Sequence, residues 1–103
     1  MVSLIYSTTS SEKEAKDIAR TLVEKKLVAC VNIIPKIVSI YRWQGTIEED
    51  FESLLIAKTT DKNIDKTIET INLLHSYEIP DIIVLPINTG LASYLSYIET
   101  ETK

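Results

Sequence analysis

The chain has 103 residues, of which 45% are hydrophobic and 25% charged, and this size and composition predict one globular domain over residues 1–103. Its net charge of −4 and its scattered basic residues exclude the basic face that a nucleic-acid binder presents. No apolar run approaches the roughly 18 residues that span a bilayer, so a membrane partner is not expected.

The first part of the chain has the pattern of a strand followed by an amphipathic helix. A short apolar strand ends at the polar run 7–10. Ser11 and Glu14 form the capping-box pattern that starts a helix. Apolar residues then recur every three or four positions, which predicts a helix with one buried face. Lys25 and Lys26 are placed in its last turn, where cations interact well with the helix dipole.

The middle of the chain predicts a β-hairpin. Residues 29–43 are rich in Val, Ile and Tyr, and the next strand runs from 46 to about 59. The Gln-Gly pair at 44–45 supplies the turn. Pro35 predicts a bulge or bend, because proline cannot donate a hydrogen bond to a strand ladder.

This hairpin is unusually long, since a typical strand has about 5–6 residues. Two helices of about 15 residues cannot cover it, so we expect Tyr41, Trp43 and Phe51 to stay partly exposed. An exposed strand-rich edge favours pairing with another chain, and a closed symmetric oligomer would remove that liability. The sequence therefore predicts self-association through the hairpin.

The last part of the chain predicts a helix, a strand and a short helix. Asp61 is placed as the N-cap of a helix whose apolar stripe runs from 64 to 74. A fourth strand is placed at 79–87, and the last helix at 91–98. The element order is that of an α+β, ferredoxin-like βαββαβ sandwich with a long hairpin between its second and third strands and a short C-terminal helix.

No strong catalytic motif is present. Only two glycines exist, which rules out a Walker A loop and the dinucleotide fingerprint, and no nucleophile elbow is found. The chain is therefore expected not to be an enzyme. His75, the only histidine, has three interpretations: a helix-end residue bonded to nearby carbonyls, a metal or anion ligand, or a general base.

The single cysteine, Cys30, excludes an internal disulfide, and the first residues lack a signal-like start. Both features indicate a cytoplasmic protein. A lone cysteine in a strand is typical of a small buried apolar residue, with a copper or redox role as the alternative.

Charged and aromatic residues of the hairpin also allow two interpretations each. The acidic run 48–52, which includes Glu52, is either a solvated strand edge or a set of weak divalent-cation ligands. Lys58 either extends along apolar surface or pairs with a carboxylate, or it binds an anion at a subunit boundary. Tyr41 and Trp43 are interpreted as interface residues rather than as a ligand cage.

Four segments together resemble the CutA family of divalent-cation tolerance proteins. Residues 27–35 (LVACVNIIP) resemble the signature of its second strand, and residues 39–45 (SIYRWQG) resemble the segment that follows. Residues 75–80 (HSYEIP) resemble its His-Pro-Tyr-Glu-x-Pro motif, and 94–98 (YLSYI) resemble its closing helix. The match covers nearly the whole chain in the same order.

The resemblance implies a cytosolic homotrimer with hairpins that pair between subunits, linked to divalent-metal tolerance and copper binding. Relatives also resemble the trimeric PII-type signalling proteins, which implies ligand pockets between subunits. We assign five residues to such a cleft: Lys58, Arg42, Glu52, Tyr77 and Glu78. The resemblance thus implies a non-enzymatic trimer that binds copper or another divalent cation weakly, with a PII-like module for a small anionic ligand as the alternative.

The chain departs from the family at the copper ligands proposed for some members. Ser7 stands where those members have Cys, and Leu74 where they have a second His, so only His75 remains as a metal ligand. Ser76 replaces the usual Pro, and Tyr97 stands where Trp is common. The thiolate and imidazole that are missing are the soft donors that copper prefers.

Overall fold

A computed structural model describes all 103 residues as four strands and three α-helices. Their bounds are β1 Val2–Thr9, α1 Glu12–Glu24, β2 Cys30–Trp43, β3 Thr46–Thr60, α2 Ile64–Leu74, β4 Ile82–Pro86 and α3 Ala92–Glu101. The strands form one antiparallel sheet in the order β2-β3-β1-β4. This confirms the ferredoxin-like βαββαβ prediction with its closing helix. None of the helices is both long and apolar enough to cross a membrane.

The predicted start of α1 is confirmed and its end is corrected. The Ser11 hydroxyl accepts a hydrogen bond from the Glu14 backbone N–H at 3.1 Å. The helix ends at Glu24, so the placement of the two lysines in its last turn is wrong. Lys25 is the C-cap, and Lys26 has a φ of 59°, a left-handed conformation that closes the helix with the backbone bond from Leu27 to Leu22.

Register places two sets of side chains on opposite faces of the sheet. Residues directly opposite each other in an antiparallel pair share a face. Along one cross-strand row lie Val31, Ala57, Ile5 and Val84, and these pack with residues of α1 and α2 into the main core. We call this the helix-covered face.

The other side, which we call the open face, has little cover. One of its rows contains Ile56, Tyr6 and Ile83, and Ile83 is 54% exposed. Leu85, one row away, is 46% exposed. The only helix on this side is α3, whose Ile98 packs against Val2 and Ala29 at one end. Most of the open face therefore remains an apolar surface without a partner within the chain.

The long hairpin is confirmed in its length, its bend and its turn. The β2–β3 ladder shifts register between Ile34 and Ile37, so the predicted bulge at Pro35 is present. At the turn, Gln44 and Gly45 both have positive φ, 47° and 86°, which is the backbone of a tight two-residue turn.

Two predicted boundaries are wrong. Asp61 does not cap α2: a 3-10 turn over Asp61–Asn63 comes first, and the Asp61 carboxylate lies 4.0 Å from the N-terminal amino group instead. The fourth strand is Ile82–Pro86 rather than 79–87, because its ladder with β1 ends where Asp81 bonds Thr8 through its side chain. The segment 75–81 is thereby free of the sheet and can approach the hairpin.

Candidate functional site

A cavity of about 400 Å³ lies where segment 75–81 meets the hairpin. Nine residues line it, and none of them is basic. Three lining residues are carboxylates and four are aromatic. They are Asp50, Glu52 and Glu78, and Tyr41, Trp43, Phe51 and Tyr77. We call this cavity the acidic aromatic cleft.

Strand geometry explains why three carboxylates of the hairpin lie on the same side of it. Side chains alternate along a strand, so Glu48, Asp50 and Glu52 share one side of β3 while Glu49 points to the other. Tyr41 and Trp43 lie on the same side as these three carboxylates, opposite Glu48 and Thr46 in the ladder. Both rings are about two-fifths exposed, at 40% and 41%, which confirms the prediction that the hairpin aromatics stay partly uncovered.

Two phenols orient two of the carboxylates. The Tyr41 hydroxyl donates to Asp50 Oδ2 at 2.5 Å, and the Tyr77 hydroxyl donates to Glu52 Oε2 at 2.5 Å. The bond to Asp50 raises the pKa of Tyr41 to about 12, and the charges of nearby carboxylates add to the shift. Burial raises the pKa of Tyr77, and its bond to Glu52 raises it further. Both tyrosines therefore stay protonated as donors to carboxylates in a negative environment.

Segment 75–81 is joined to the body of the protein by two further carboxylates. Asp81 Oδ1 accepts from the backbone N–H and the hydroxyl of Thr8, at 3.2 and 2.7 Å. Glu14, in the first turn of α1, accepts from the Ser76 backbone N–H at 2.7 Å and from the backbone N–H and hydroxyl of Ser10, both at 2.9 Å. These bonds hold Tyr77 and Glu78 against the hairpin.

His75 occupies a structural position beside the cleft. It is 9% exposed, and its Nε2 lies 2.7 Å from the Thr8 carbonyl oxygen. The Tyr77 backbone N–H donates to its Nδ1 at 3.1 Å. A carbonyl can only accept and an amide N–H can only donate, so Nε2 carries the proton and the Nδ1 lone pair is occupied. The arrangement fits the helix-end interpretation and leaves His75 no free lone pair for a metal.

Lys58, Arg42 and Cys30 lie outside the cleft. Lys58 donates to the Tyr94 hydroxyl at 3.1 Å and approaches Cys30 Sγ at 3.7 Å, and the bond to Tyr94 raises the pKa of Lys58. Arg42 pairs with Ile47 near the turn. Ile47 and Lys58 are eleven positions apart along β3 (58 minus 47), about 36 Å at a strand rise of about 3.3 Å per residue. Of the five residues assigned to a cleft between subunits, the cavity within one chain brings together Glu52, Tyr77 and Glu78.

Sequence reasoning missed Asp50 and Phe51 as cleft residues and gave Asp81 no role. The alternation of acids at 48, 50 and 52 was the available signal, since it places three carboxylates on one side of a strand. No three His, Cys, Asp or Glu side chains converge closely enough to hold a metal ion within one chain. The cleft therefore offers separated carboxylates beside aromatic rings rather than a preformed metal centre.

The sheet order, the two helices on one face and the extended hairpin define an α+β protein of the ferredoxin-like class. Residues 3–101 match the family model described as CutA1 divalent ion tolerance protein. The chain belongs to this family.

Known relatives match along nearly the whole chain. It is 45% identical over 102 residues to the divalent-cation tolerance protein CutA of Thermus thermophilus, covering 99% of both chains. It is 44% identical to Protein CutA of Mus musculus, where the match covers 99% of this chain and 58% of the mouse protein. The structure of the periplasmic divalent cation tolerance protein CutA from Archaeoglobus fulgidus has a TM-score of 0.97 and 39% identity, covering 100% of both chains. None of these names is that of an enzyme.

Proposed function

We propose that this protein acts without catalysis in divalent-cation tolerance, as a homotrimer that binds divalent cations weakly at the acidic aromatic cleft. The observation that supports the site is that three separated carboxylates, those of Asp50, Glu52 and Glu78, line one cavity that no basic residue lines. The names of the relatives supply the role, since they describe tolerance of divalent cations.

The donors available at the cleft favour hard cations. Oxygen ligands suit Mg²⁺, Ca²⁺ and Mn²⁺, and Mg²⁺ is commonly held by one or two carboxylates with several waters retained. The soft donors that copper prefers are engaged elsewhere, because both His75 nitrogens are hydrogen-bonded and Cys30 lies beside Lys58. With fewer than three converging ligands per chain, binding is weak and selects oxygen-loving divalent cations over copper.

Calorimetric titration with Mn²⁺ tests the site. Glu78→Gln should weaken binding by about threefold to tenfold, because it removes a carboxylate that makes no ion pair within the chain. Glu49→Gln is the matched control, since it removes the same charge from the opposite side of the hairpin and should leave binding unchanged. If His75→Gln abolishes binding in a folded protein while Glu78→Gln has no effect, the ligand is His75 and the cleft is the wrong site.

Self-association is supported by the open face and by the hairpin. The exposed Ile83 and Leu85 form an apolar surface that one chain leaves uncovered, and β2 is an edge strand with an unpaired side. In the proposed trimer, Tyr41 and Trp43 contact neighbouring subunits. Sedimentation should give a trimer for the wild type, smaller species for Trp43→Asp, and an unchanged trimer for Leu73→Asp, which places the same charge on an exposed position of α2.

A second candidate function is binding of a small anion at clefts between subunits. Lys58 supports it, because its ammonium lies on the open face and the hydroxyl of Tyr94 favours its charged form. Arg42 would have to come from another subunit, given its separation from Lys58. In a thermal-shift series with phosphate-bearing metabolites, stabilisation that is lost in Lys58→Ala supports this candidate, and no shift with any anion counts against it.

A further inference from the structure

The distal part of the hairpin, beyond the bulge, is joined to the rest of the chain at a single point. β1 pairs with β3 only over Ser53–Thr60, and pairing between β2 and β3 resumes at Ile37 after the bulge. Residues 37–52 therefore form a two-stranded ribbon, which we call the hairpin ribbon. We propose that the hydrogen bond between Tyr77 and Glu52 is a latch that fixes the angle of this ribbon and thereby controls assembly of the trimer. The latch rests on the homotrimer of the proposed function and adds the element that regulates its assembly.

The hairpin ribbon has no third strand or helix that holds its direction. Four of its apolar side chains are more than half exposed: Val38, Ile40, Ile47 and Phe51. A two-stranded hairpin has little stability of its own, and two-stranded ribbons twist more strongly than wider sheets. Packing within one chain therefore does not fix the angle at which the ribbon leaves the sheet.

Tyr77 contacts the hairpin ribbon where the ribbon begins. Glu52 is next to Ser53, where the pairing of β3 with β1 ends, and it lies opposite Ile37. The Tyr77 hydroxyl donates to Glu52 Oε2 at 2.5 Å. The other side-chain hydrogen bonds of the ribbon join its own residues to one another, and no further hydrogen bond or ion pair connects it to residues outside the hairpin. One bond at the base of the ribbon therefore restrains its angle.

Tyr77 is itself held by the body of the protein. The Ser76 backbone N–H donates to Glu14 at 2.7 Å, and the His75 ring lies 4.6 Å from the Tyr77 ring, centroid to centroid. Two cavities, of about 400 and 290 Å³, are both lined by Tyr77 and Glu52. Because open space adjoins the bond between them, the ribbon can change its angle without repacking a core once the bond is lost.

A ribbon with a fixed angle favours assembly, because association then has fewer groups to order. Ordering a mobile segment on binding costs free energy, and preorganisation removes that cost. In the proposed trimer Tyr41 and Trp43 contact neighbouring subunits, and both belong to the ribbon, so their positions follow its angle. Loss of the latch should therefore loosen the trimer, although Tyr77 and Glu52 bond within one chain.

Subunit exchange tests the latch. Native mass spectrometry of unlabelled and isotope-labelled full-length protein, mixed in equal amounts, gives both the oligomeric state and the exchange rate. Tyr77→Phe removes only the hydroxyl and should speed exchange about tenfold. Tyr97→Phe is the matched control and should exchange at the wild-type rate, because Tyr97 stacks on Tyr94 through its ring and its hydroxyl makes no hydrogen bond within the chain. A wild-type rate in Tyr77→Phe would overturn the proposal.

A double-variant cycle separates the latch from a general loss of stability. Glu52→Ala should also speed exchange, and the variant that combines it with Tyr77→Phe should be no faster than the faster single variant, since both changes remove the same bond. Glu52→Gln keeps an acceptor oxygen for the hydroxyl and should exchange more slowly than Glu52→Ala. Additive effects of the two single changes would show that they act independently and would overturn the latch.

A monomeric wild type would show that the proposed trimer is wrong, and the mobility of the ribbon then decides the latch by itself. Trp43, the only tryptophan, lies at the far end of the ribbon, so its fluorescence anisotropy decay reports the motion of the ribbon. The fast component of the decay should be larger in Tyr77→Phe than in the wild type. Equal decays in the two proteins would overturn the latch.

Discussion

The two faces of the sheet differ in how completely the chain covers them. On the helix-covered face, Ile5, Leu55 and Ala57 are fully buried beneath α1 and α2. On the open face, Ile83 and Leu85 are about half exposed, and α3 reaches only one end. One face therefore holds the chain together, and the other, with the hairpin that extends from it, is available for contacts with other molecules.

The largest expected effect comes from the helix-covered face. Leu55→Ala should lower the free energy of unfolding by about 2–5 kcal/mol, because it removes a fully buried side chain and leaves a cavity between sheet and helices. Urea unfolding measures the loss. Ile83→Ala is the matched variant on the open face, and its effect should grow as the protein is diluted, since in the proposed trimer this residue acts through association. Equal losses at every protein concentration would contradict the difference between the faces.

The turn tests whether the far end of the hairpin adds to stability. Gly45→Ala should cost about 1–2 kcal/mol, because Gly45 has a φ of 86° and a side chain is strained there even though no atom lies within 4 Å of the added carbon. Gly90→Ala is the control: its new carbon would meet only the Leu95 side chain, at 3.4 Å. A larger loss of thermal stability for Gly90→Ala would mean that the hairpin turn unfolds independently of the rest.

Removing a buried polar group from the helix-covered face should raise the free energy of unfolding rather than lower it. Ser7 is fully buried, and its hydroxyl has no hydrogen-bond partner, so Ser7→Ala should raise the free energy of unfolding by about 1 kcal/mol. Ser53→Ala should lower it, because the buried Ser53 hydroxyl donates to the Pro35 carbonyl at 2.6 Å. Urea midpoints compare the two variants, and a loss of stability in both would indicate that Ser7 has an unseen partner.

Local sequence signals predicted the features of this fold that depend on local chemistry. Pro35 predicted the bulge because it lacks a donor, and Ser11 predicted the start of α1 because its hydroxyl can accept from an orphan amide. The Gln-Gly pair predicted the turn because glycine readily adopts the positive φ that a tight two-residue turn requires. The ferredoxin-like order followed from these elements and their periodicity.

Features that depend on distant contacts were not predictable in this way. Asp61 has the chemistry of an N-cap, yet a 3-10 turn places it near the chain's own N-terminus. Lys58 and Arg42 were assigned to a cleft between subunits, and because strand length separates them within one chain, only contacts between chains could bring them together. Glu52 and Tyr77 are 25 positions apart, and no local sequence pattern predicts the hydrogen bond between them. The cleft exists because segment 75–81 lies outside the sheet. The ladder between β1 and β4 ends at Asp81, whose side chain accepts hydrogen bonds from Thr8 in place of backbone pairing.

Glu14 connects the helix-covered side of the molecule to the cleft, through its bonds to Ser10 and Ser76. Burial alone would raise the pKa of Glu14, but these hydrogen bonds to its ionised form lower it below the usual 4.5. A carboxyl whose pKa is lowered on folding stabilises the native state above its unfolded pKa and loses that contribution as the pH falls through the folded value. The stabilisation from Glu14 is therefore present at neutral pH and declines in acid below about pH 4.5.

Glu14→Gln should accordingly lower the free energy of unfolding by about 1 kcal/mol at neutral pH, a modest value because the site is partly solvated. The difference between variant and wild type should narrow as the pH falls below about 4.5, and urea midpoints across an acid series measure this. Glu12→Gln is the control, because Glu12 pairs only with the exposed Lys16 and should have little effect at any pH. If the loss of unfolding free energy caused by Glu14→Gln is the same at acid and neutral pH, the contact that holds Ser76 is uncharged. The position of segment 75–81 then does not depend on an ionised carboxylate at the start of α1.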